Sequence, residues 1–193
     1  IESGVDDSVS LYNSKWLDIS SMLLFLGFFV CEVFLNYPAP GVWLAFLLFI
    51  VNAVRLIGWH TAGIWRKSLL WSIYLSFWFI TFGFLLFAAA DLAGISKYLA
   101  IHAFAYGGIG LITIGMMSRV ALGHTGRLVS EPPASAAIAF ALLIAGAMVR
   151  VRLPIVSMAN YDIWIGLSQL LWVIAFAIFV ITYMPILIKP RLG

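Results

Sequence analysis

Histidine is scarce in this sequence, and its three copies are the side chains best suited to chemistry. Neutral imidazole binds metals and titrates near neutral pH. His60 ends one apolar run, His102 begins another, and His124 follows that second run. If one continuous helix joins His102 to His124, they lie about 33 Å apart at about 1.5 Å per residue and cannot share a metal. His60 and His124 fall at the same predicted end and could form a pair. All three are candidate metal ligands, and for each the alternative is a hydrogen-bonded polar side chain.

Three arginines accompany His60 and His124 at the same predicted end. Arg55 comes one helical turn before the first of these histidines, and Arg119 and Arg127 flank the second. The planar guanidinium holds carboxylates and phosphates through paired hydrogen bonds, so Arg55 is a candidate for binding an anionic group such as a haem propionate or a lipid phosphate. For Arg55 the alternative is a long stem that extends to the nearest aqueous surface.

The segment after His102 combines a tyrosine at helical spacing with many small residues. His102 and Tyr106 are four residues apart and therefore share a helix face. Small residues on the other faces allow a neighbouring helix, or a flat macrocycle, to approach closely. Packing between helices is the commoner meaning of such a pattern. The small residues are Ala103, Gly107, Gly108, Gly110 and Gly115.

The composition determines the environment in which these residues must act. The 193 residues are 64% hydrophobic and 10% charged, whereas soluble domains are about 45–50% apolar and about 25% charged. This excludes an ordinary soluble enzyme, a disordered chain and a nucleic-acid-binding module, and it indicates a protein embedded in the lipid bilayer.

The single cysteine, Cys31, excludes an intrachain disulfide. Its neighbour Glu32 is an ionisable residue at predicted membrane depth, either functional or paired with a polar group of a neighbouring helix.

Six apolar runs are long enough to be transmembrane helices, because a span needs about 20 residues and all its backbone polar groups must pair internally. The predicted fold is all-α, a polytopic transmembrane helical bundle of about six spans that forms one domain over 16–188. A polar tail precedes it over 1–15, and a short tail follows over 189–193. Residues 37–41 are predicted as a turn and 150–162 as a connection. The six runs cover about 16–36, 42–59, 68–90, 97–122, 134–149 and 163–188.

Lysine and arginine predict the orientation of these spans, because cytoplasmic loops carry an excess of them. With six spans, the two termini share a side with the second and fourth loops. That side carries 8 of the 11 Lys and Arg residues, and the other side carries Lys97, Arg150 and Arg152. Both termini are therefore expected in the cytoplasm.

A long, unusual motif resembles the NnrS family. Residues 102–127 read HAFAYGGIGLITIGMMSRVALGHTGR, and the family's late signature likewise has a His-Ala-Phe opening, a Gly-rich helix and a Leu-Gly-His-Thr-Gly-Arg end. The stretch LIGWH over 56–60 is similar to the family's preceding span. The family's earlier His-rich signature is absent from these residues. The resemblance, with an N-terminus that lacks Met, implies that this chain is the C-terminal half of a longer protein and that the N-terminal half is a partner.

The resemblance implies a bacterial inner-membrane protein associated with haem, copper and the response to nitric oxide. Haem iron takes axial imidazole, and haem propionates bind arginine. His102, with Tyr106 one turn along, is then the best candidate haem ligand. Arg55, Arg119 and Arg127 are candidates for holding propionates, and His60 and His124 are further candidate metal ligands. Nitric oxide or a related small molecule would be the ligand.

Two other functions compete with this interpretation. The chain could be half of a transporter for a metal, haem or a small anion, for which Glu32, Arg55 and a Gly-rich helix would serve. It could also be a structural subunit that binds only lipid and partner helices. No serine nucleophile motif, phosphate loop, CxxC pair or HExxH zinc motif is present. The sequence names no catalytic residue, and enzyme activity stays an open question.

Overall fold

The computed structural model describes residues 14–35 and 38–191, and every regular element in these ranges is helical. Six helices are long and apolar enough to cross a membrane. The predicted all-α transmembrane bundle is therefore confirmed for this part of the chain, while the predicted polar tail lies almost wholly outside it. The helices are α1 (Lys15–Phe29), α2 (Pro38–Trp59), α3 (Ser68–Ala93), α4 (Lys97–His102), α5 (Leu111–His124), α6 (Ala134–Val156) and α7 (Tyr161–Ile188).

Two predicted boundaries are wrong: α2 begins earlier than predicted, and α6 ends later. α2 begins at Pro38, inside the predicted turn, because proline in a first helical turn has no N–H to leave unpaired. α6 continues to Val156 and includes Arg150 and Arg152, which the sequence placed in a connection. Hydropathy falls at Arg150, but the backbone hydrogen bonds of the helix do not depend on hydropathy.

The fourth span is one helical path whose centre is wider than an α-helix. α4 passes into π-helical turns over Ala103–Gly110 and then into α5. Its start is capped by Ser96, whose hydroxyl accepts from the Tyr98 N–H at 3.3 Å. The path keeps His102 and His124 at opposite ends of the bundle, as predicted for a continuous helix. Wide turns of this kind are rare and occur often at functional sites.

The small residues of this span let neighbouring aromatic and branched side chains approach the backbone. A side chain at Gly107 would overlap Phe79, and one at Gly108 would overlap Ile80. A side chain at Gly110 would overlap the ring of Trp172. In this structure the glycines therefore serve the packing of α3 and α7 against the fourth span, the commoner of the two predicted meanings.

Two buried clusters hold the helices together. One lies among α3, α5, α6 and α7 around Leu111, Phe140 and Tyr183. The other joins α2 to α3 around Leu48 and Phe84, and α1 packs against it through partly buried residues such as Phe28. Because consecutive spans run in opposite directions, one end of the bundle gathers Lys15, the loop after α2, the loop after α5 and Lys189. We call this the basic end, and the other the opposite end.

Candidate functional site

His102 lines an open groove of about 450 Å³ toward the opposite end of the bundle. The groove lies between the fourth span, α6 and α7, which supply every residue that borders it. His102 itself is partly buried, at the junction of α4 and the π-helical turns. Ligand sites in helical bundles have this form, an apolar cleft with a few convergent polar groups. The lining residues are His102, Ala105, Tyr106, Arg150, Gln169, Trp172 and Val173.

Tyr106 forms a fixed wall of this groove. Its hydroxyl donates to the Ser168 carbonyl oxygen at 2.7 Å. Its ring meets that of Trp172 edge to face, with centroids 4.7 Å apart. Gly146 on α6 makes room for this arrangement, since a Cβ there would overlap the Tyr106 hydroxyl. The predicted pairing of His102 with Tyr106 on one face is confirmed by their shared groove.

Arg150 completes the groove and was missed as a site residue. Its Nη1 donates to Ser168 Oγ at 3.3 Å, and its buried Nε has no acceptor among the described residues. The sequence counted Arg150 only as a charge in a connecting loop. A usable signal was present, because the predicted fifth run of 134–149 is shorter than the about 20 residues of a span. The helix therefore had to continue through Arg150, which brings a cation to membrane depth beside His102.

His60 and His124 lie at the basic end, away from this groove. The Trp65 indole donates to His60 Nε2 at 3.1 Å, so one of the two imidazole nitrogens is engaged. Both histidines are exposed. In the ranges 14–35 and 38–191, no group of three or more His, Cys, Asp or Glu side chains is placed to hold a metal ion. The structure thus separates these two candidates from His102 and supplies neither with a cluster of further ligands.

Arg127 has a structural partner instead of a ligand. Its Nη1 donates to the Ile186 carbonyl oxygen at 3.3 Å and approaches the Thr125 carbonyl oxygen at 3.5 Å. The last carbonyls of a helix lack partners within it, so Arg127 caps the end of α7. Arg119 is partly buried in the last turns of α5, at the same end. Neither arginine lines the groove of His102.

Arg55 is paired within the bundle, which neither sequence interpretation had anticipated. Its Nη2 lies 2.9 Å from Asp18 Oδ1, and its Nη1 donates to Asn52 Oδ1 at 3.2 Å. The guanidinium also lies over the Trp59 ring, 4.9 Å from the centroid. The five residues predicted to hold propionates or metal at the basic end are thus distinct from the groove, which His102, Tyr106 and the overlooked Arg150 line together.

Glu32 lies at the opposite end, in the π-helical turn that follows α1. Its carboxylate packs against Gly41 in the first turn of α2, where a Cβ would overlap Glu32 Oε1. That oxygen is buried and has no hydrogen-bond donor among the described residues. The polar partner expected from a neighbouring helix is therefore not found there.

Six apolar spans with a histidine–arginine groove between helices define a polytopic helical membrane protein with a candidate ligand site at membrane depth. The model of the NnrS protein family matches residues 2–191, and the chain belongs to this family. The suspected relationship, which was based mainly on residues 102–127, therefore extends over nearly the whole chain. No curated protein and no solved structure matches the chain.

Proposed function

We propose that this NnrS-family protein binds haem in the groove of His102 and acts in the cell's response to nitric oxide. The observation that carries the proposal is the meeting of an imidazole and a guanidinium in one groove of about 450 Å³. Cofactor sites are mostly apolar clefts of about 300–1,000 Å³ with few polar groups. Family membership supports the nitric oxide response, because the resemblance to NnrS proteins carries that association.

The residues of the groove fit haem by their chemistry. His102 offers an imidazole nitrogen as an axial ligand. The buried Arg150 Nε has no acceptor within the described ranges, and a propionate carboxylate would supply one. Tyr106 and Trp172, held together at 4.7 Å, present aromatic surface to a planar ring. Bound haem would supply an iron that takes diatomic ligands such as nitric oxide.

Copper fits the described residues less well. Protein copper sites combine several imidazole or sulfur ligands. Within the described ranges, neither His60, His102 nor His124 belongs to a group of three or more His, Cys, Asp or Glu side chains that could hold a metal ion. A copper site would therefore need ligands from outside these ranges or from another chain, and we assign no chemistry to copper here.

The optical spectrum of the purified protein tests the haem proposal. The native protein is expected to show a Soret band, and His102→Ala is expected to abolish it or shift it to that of a weakly held haem. Arg150→Met should reduce the haem retained during purification while leaving the band position unchanged, because it removes a propionate partner and no ligand. His60→Ala is the matched control, since it removes an exposed imidazole outside the groove.

Two outcomes would overturn the assignment. A native protein that is folded and monodisperse yet takes up no haem would refute haem binding. An unchanged spectrum in His102→Ala, with loss of the band in His60→Ala, would move the ligand to the basic end.

For the physiological role, cells that carry His102→Ala should grow like the deletion strain under nitric oxide. Growth like the wild type would contradict a role of this groove in the nitric oxide response.

A further inference from the structure

A second cavity, of about 200 Å³, lies between α1, α2 and α3, separate from the groove of His102. Its walls are mostly aromatic and aliphatic, with Phe25, Phe77 and Phe84 among them. Four polar side chains interrupt this apolar lining, namely Ser21, Asn52, Arg55 and Thr81. None of these residues belongs to the proposed haem site.

The polar side chains of the lining form a hydrogen-bonded network along one wall of the cavity. Ser21 Oγ donates to Asn52 Oδ1 at 3.1 Å, and Arg55 Nη1 donates to the same oxygen at 3.2 Å. Asp18 neutralises Arg55 through its Nη2. The buried Arg55 Nε has no acceptor among the described residues. A buried donor without an acceptor is costly, so an acceptor in the adjoining cavity would stabilise this wall.

Charge decides which acceptor fits. The carboxylate of Asp18 already balances the guanidinium, so the site offers no net charge to attract an anion. Water supplies an acceptor without adding charge, and at about 30 Å³ per molecule the cavity has room for about six waters. Ionisable residues within membrane spans face either the interior of the bundle or a water-filled cavity.

We propose that this cavity is a water-filled vestibule that leads from the basic end of the bundle toward its centre. Its outer part contains Arg55, whose partner Asp18 is 42% exposed in the first turn of α1. Its inner part contains Thr81, which lies halfway along α3. The vestibule gives water and small hydrophilic molecules access to the middle of the membrane domain.

Cysteine accessibility tests this proposal in membranes permeabilised so that reagents reach both faces. The background is the Cys31→Ser variant, which removes the single cysteine of this sequence. Thr81→Cys is expected to react with a small water-soluble methanethiosulfonate at least tenfold faster than Ser76→Cys. Ser76 is the matched control, because it lies on the same helix and is fully buried but does not line the cavity.

A plugging variant separates a hydrated route from a local defect. Adding Ser21→Phe fills the vestibule near Arg55, so the reaction of Thr81→Cys should slow at least fivefold while that of Ser76→Cys does not change. The proposal is overturned if Thr81→Cys reacts as slowly as Ser76→Cys in protein that is monodisperse in detergent. It is equally overturned if Ser21→Phe leaves the rate at Thr81→Cys unchanged.

Discussion

At the scale of the residue, the hydrogen-bond partners of each arginine decide what it can bind. Arg127 donates to the Ile186 carbonyl oxygen near the end of α7, so its guanidinium caps that helix. Arg55 is balanced by Asp18, so a propionate would have to displace a carboxylate already in place. Among the described residues, the one hydrogen-bond partner of Arg150 is the neutral Ser168, and Arg150 lines a groove with His102. The three arginines therefore differ in the groups that they remain free to bind.

Gly146→Ala is expected to destabilise the wall of the groove that contains His102. Its new Cβ would lie 2.7 Å from Tyr106 Cζ and would overlap the hydroxyl, so Tyr106 must leave the Ser168 carbonyl. Overpacking of this kind costs about 1–3 kcal/mol. The midpoint of thermal unfolding in detergent measures the loss, and the added Tyr106→Phe should recover part of it because it removes the overlapping oxygen.

Gly166→Ala is the matched control on α7, because nothing lies within 4 Å of the position its Cβ would take. Replacing a helical glycine by alanine in open space stabilises the helix by up to about 1 kcal/mol. Equal losses in Gly146→Ala and Gly166→Ala would show that the packing of Tyr106 is not responsible.

At the scale of the element, α1 depends on contacts that are unlike those of the other spans. None of its residues is fully buried, whereas the fourth span buries half of its apolar window. Phe28 meets Phe84 and Phe87 edge to face at 5.7 and 5.0 Å. Asp18 and Ser21 connect α1 to Arg55 and Asn52. Polar pairs therefore connect α1 to α2, and aromatic pairs connect it to α3.

Asp18→Asn is expected to lower the thermal midpoint and loosen α1. The substitution leaves the partly buried Arg55 without its counter-charge, which we expect to cost about 1–2 kcal/mol, between the values for exposed and buried pairs. Limited proteolysis should cut α1 more readily in this variant than in the native protein.

Asp91→Asn is the control for that experiment, since it breaks the pair with Lys97 at 3.1 Å between α3 and α4. Both partners of that pair are more than a third exposed and lie beside a short connection, so the expected change is a few tenths of a kcal/mol. A change as large as that of Asp18→Asn would refute a special role for the Arg55 pair.

At the scale of the whole molecule, the bundle separates two sets of polar residues. The basic end holds His60, His124 and Arg127, and the groove toward the opposite end holds His102 and Arg150. A ligand at His102 must therefore be held without the other two histidines. The vestibule adds a third polar region, which begins near Asp18.

The orientation of this bundle is testable through inserted reporters. Because the basic end carries most of the lysine and arginine, we expect it in the cytoplasm. Alkaline phosphatase inserted after Ser157, between α6 and α7, should be active, and the same reporter after Glu131 should be inactive. Green fluorescent protein after the last residue should fluoresce. The opposite pattern of reporter activity would invert the predicted topology.

The sequence by itself determined the fold class, the number of spans and the family. These follow from composition, from apolar runs of membrane length and from a long motif, all of which are local in the chain. It also found His102 and Tyr106, because their spacing of four places them on one face of any helix. It missed Arg150, because the fall in hydropathy at this residue was taken as the end of a helix. The backbone hydrogen bonds of α6 in fact continue to Val156.

Only the tertiary structure decided which polar groups meet. Arg55 pairs with Asp18 across α1 and α2, and Arg127 reaches Ile186 at the end of α7. Arg150 enters the groove of His102 because α6 packs against the fourth span at Gly146 and Tyr106. Pairings of this kind depend on how helices cross and on which face each turns inward. In a membrane almost every face is apolar, so the hydrophobic pattern that orients helices in soluble proteins gives little guidance.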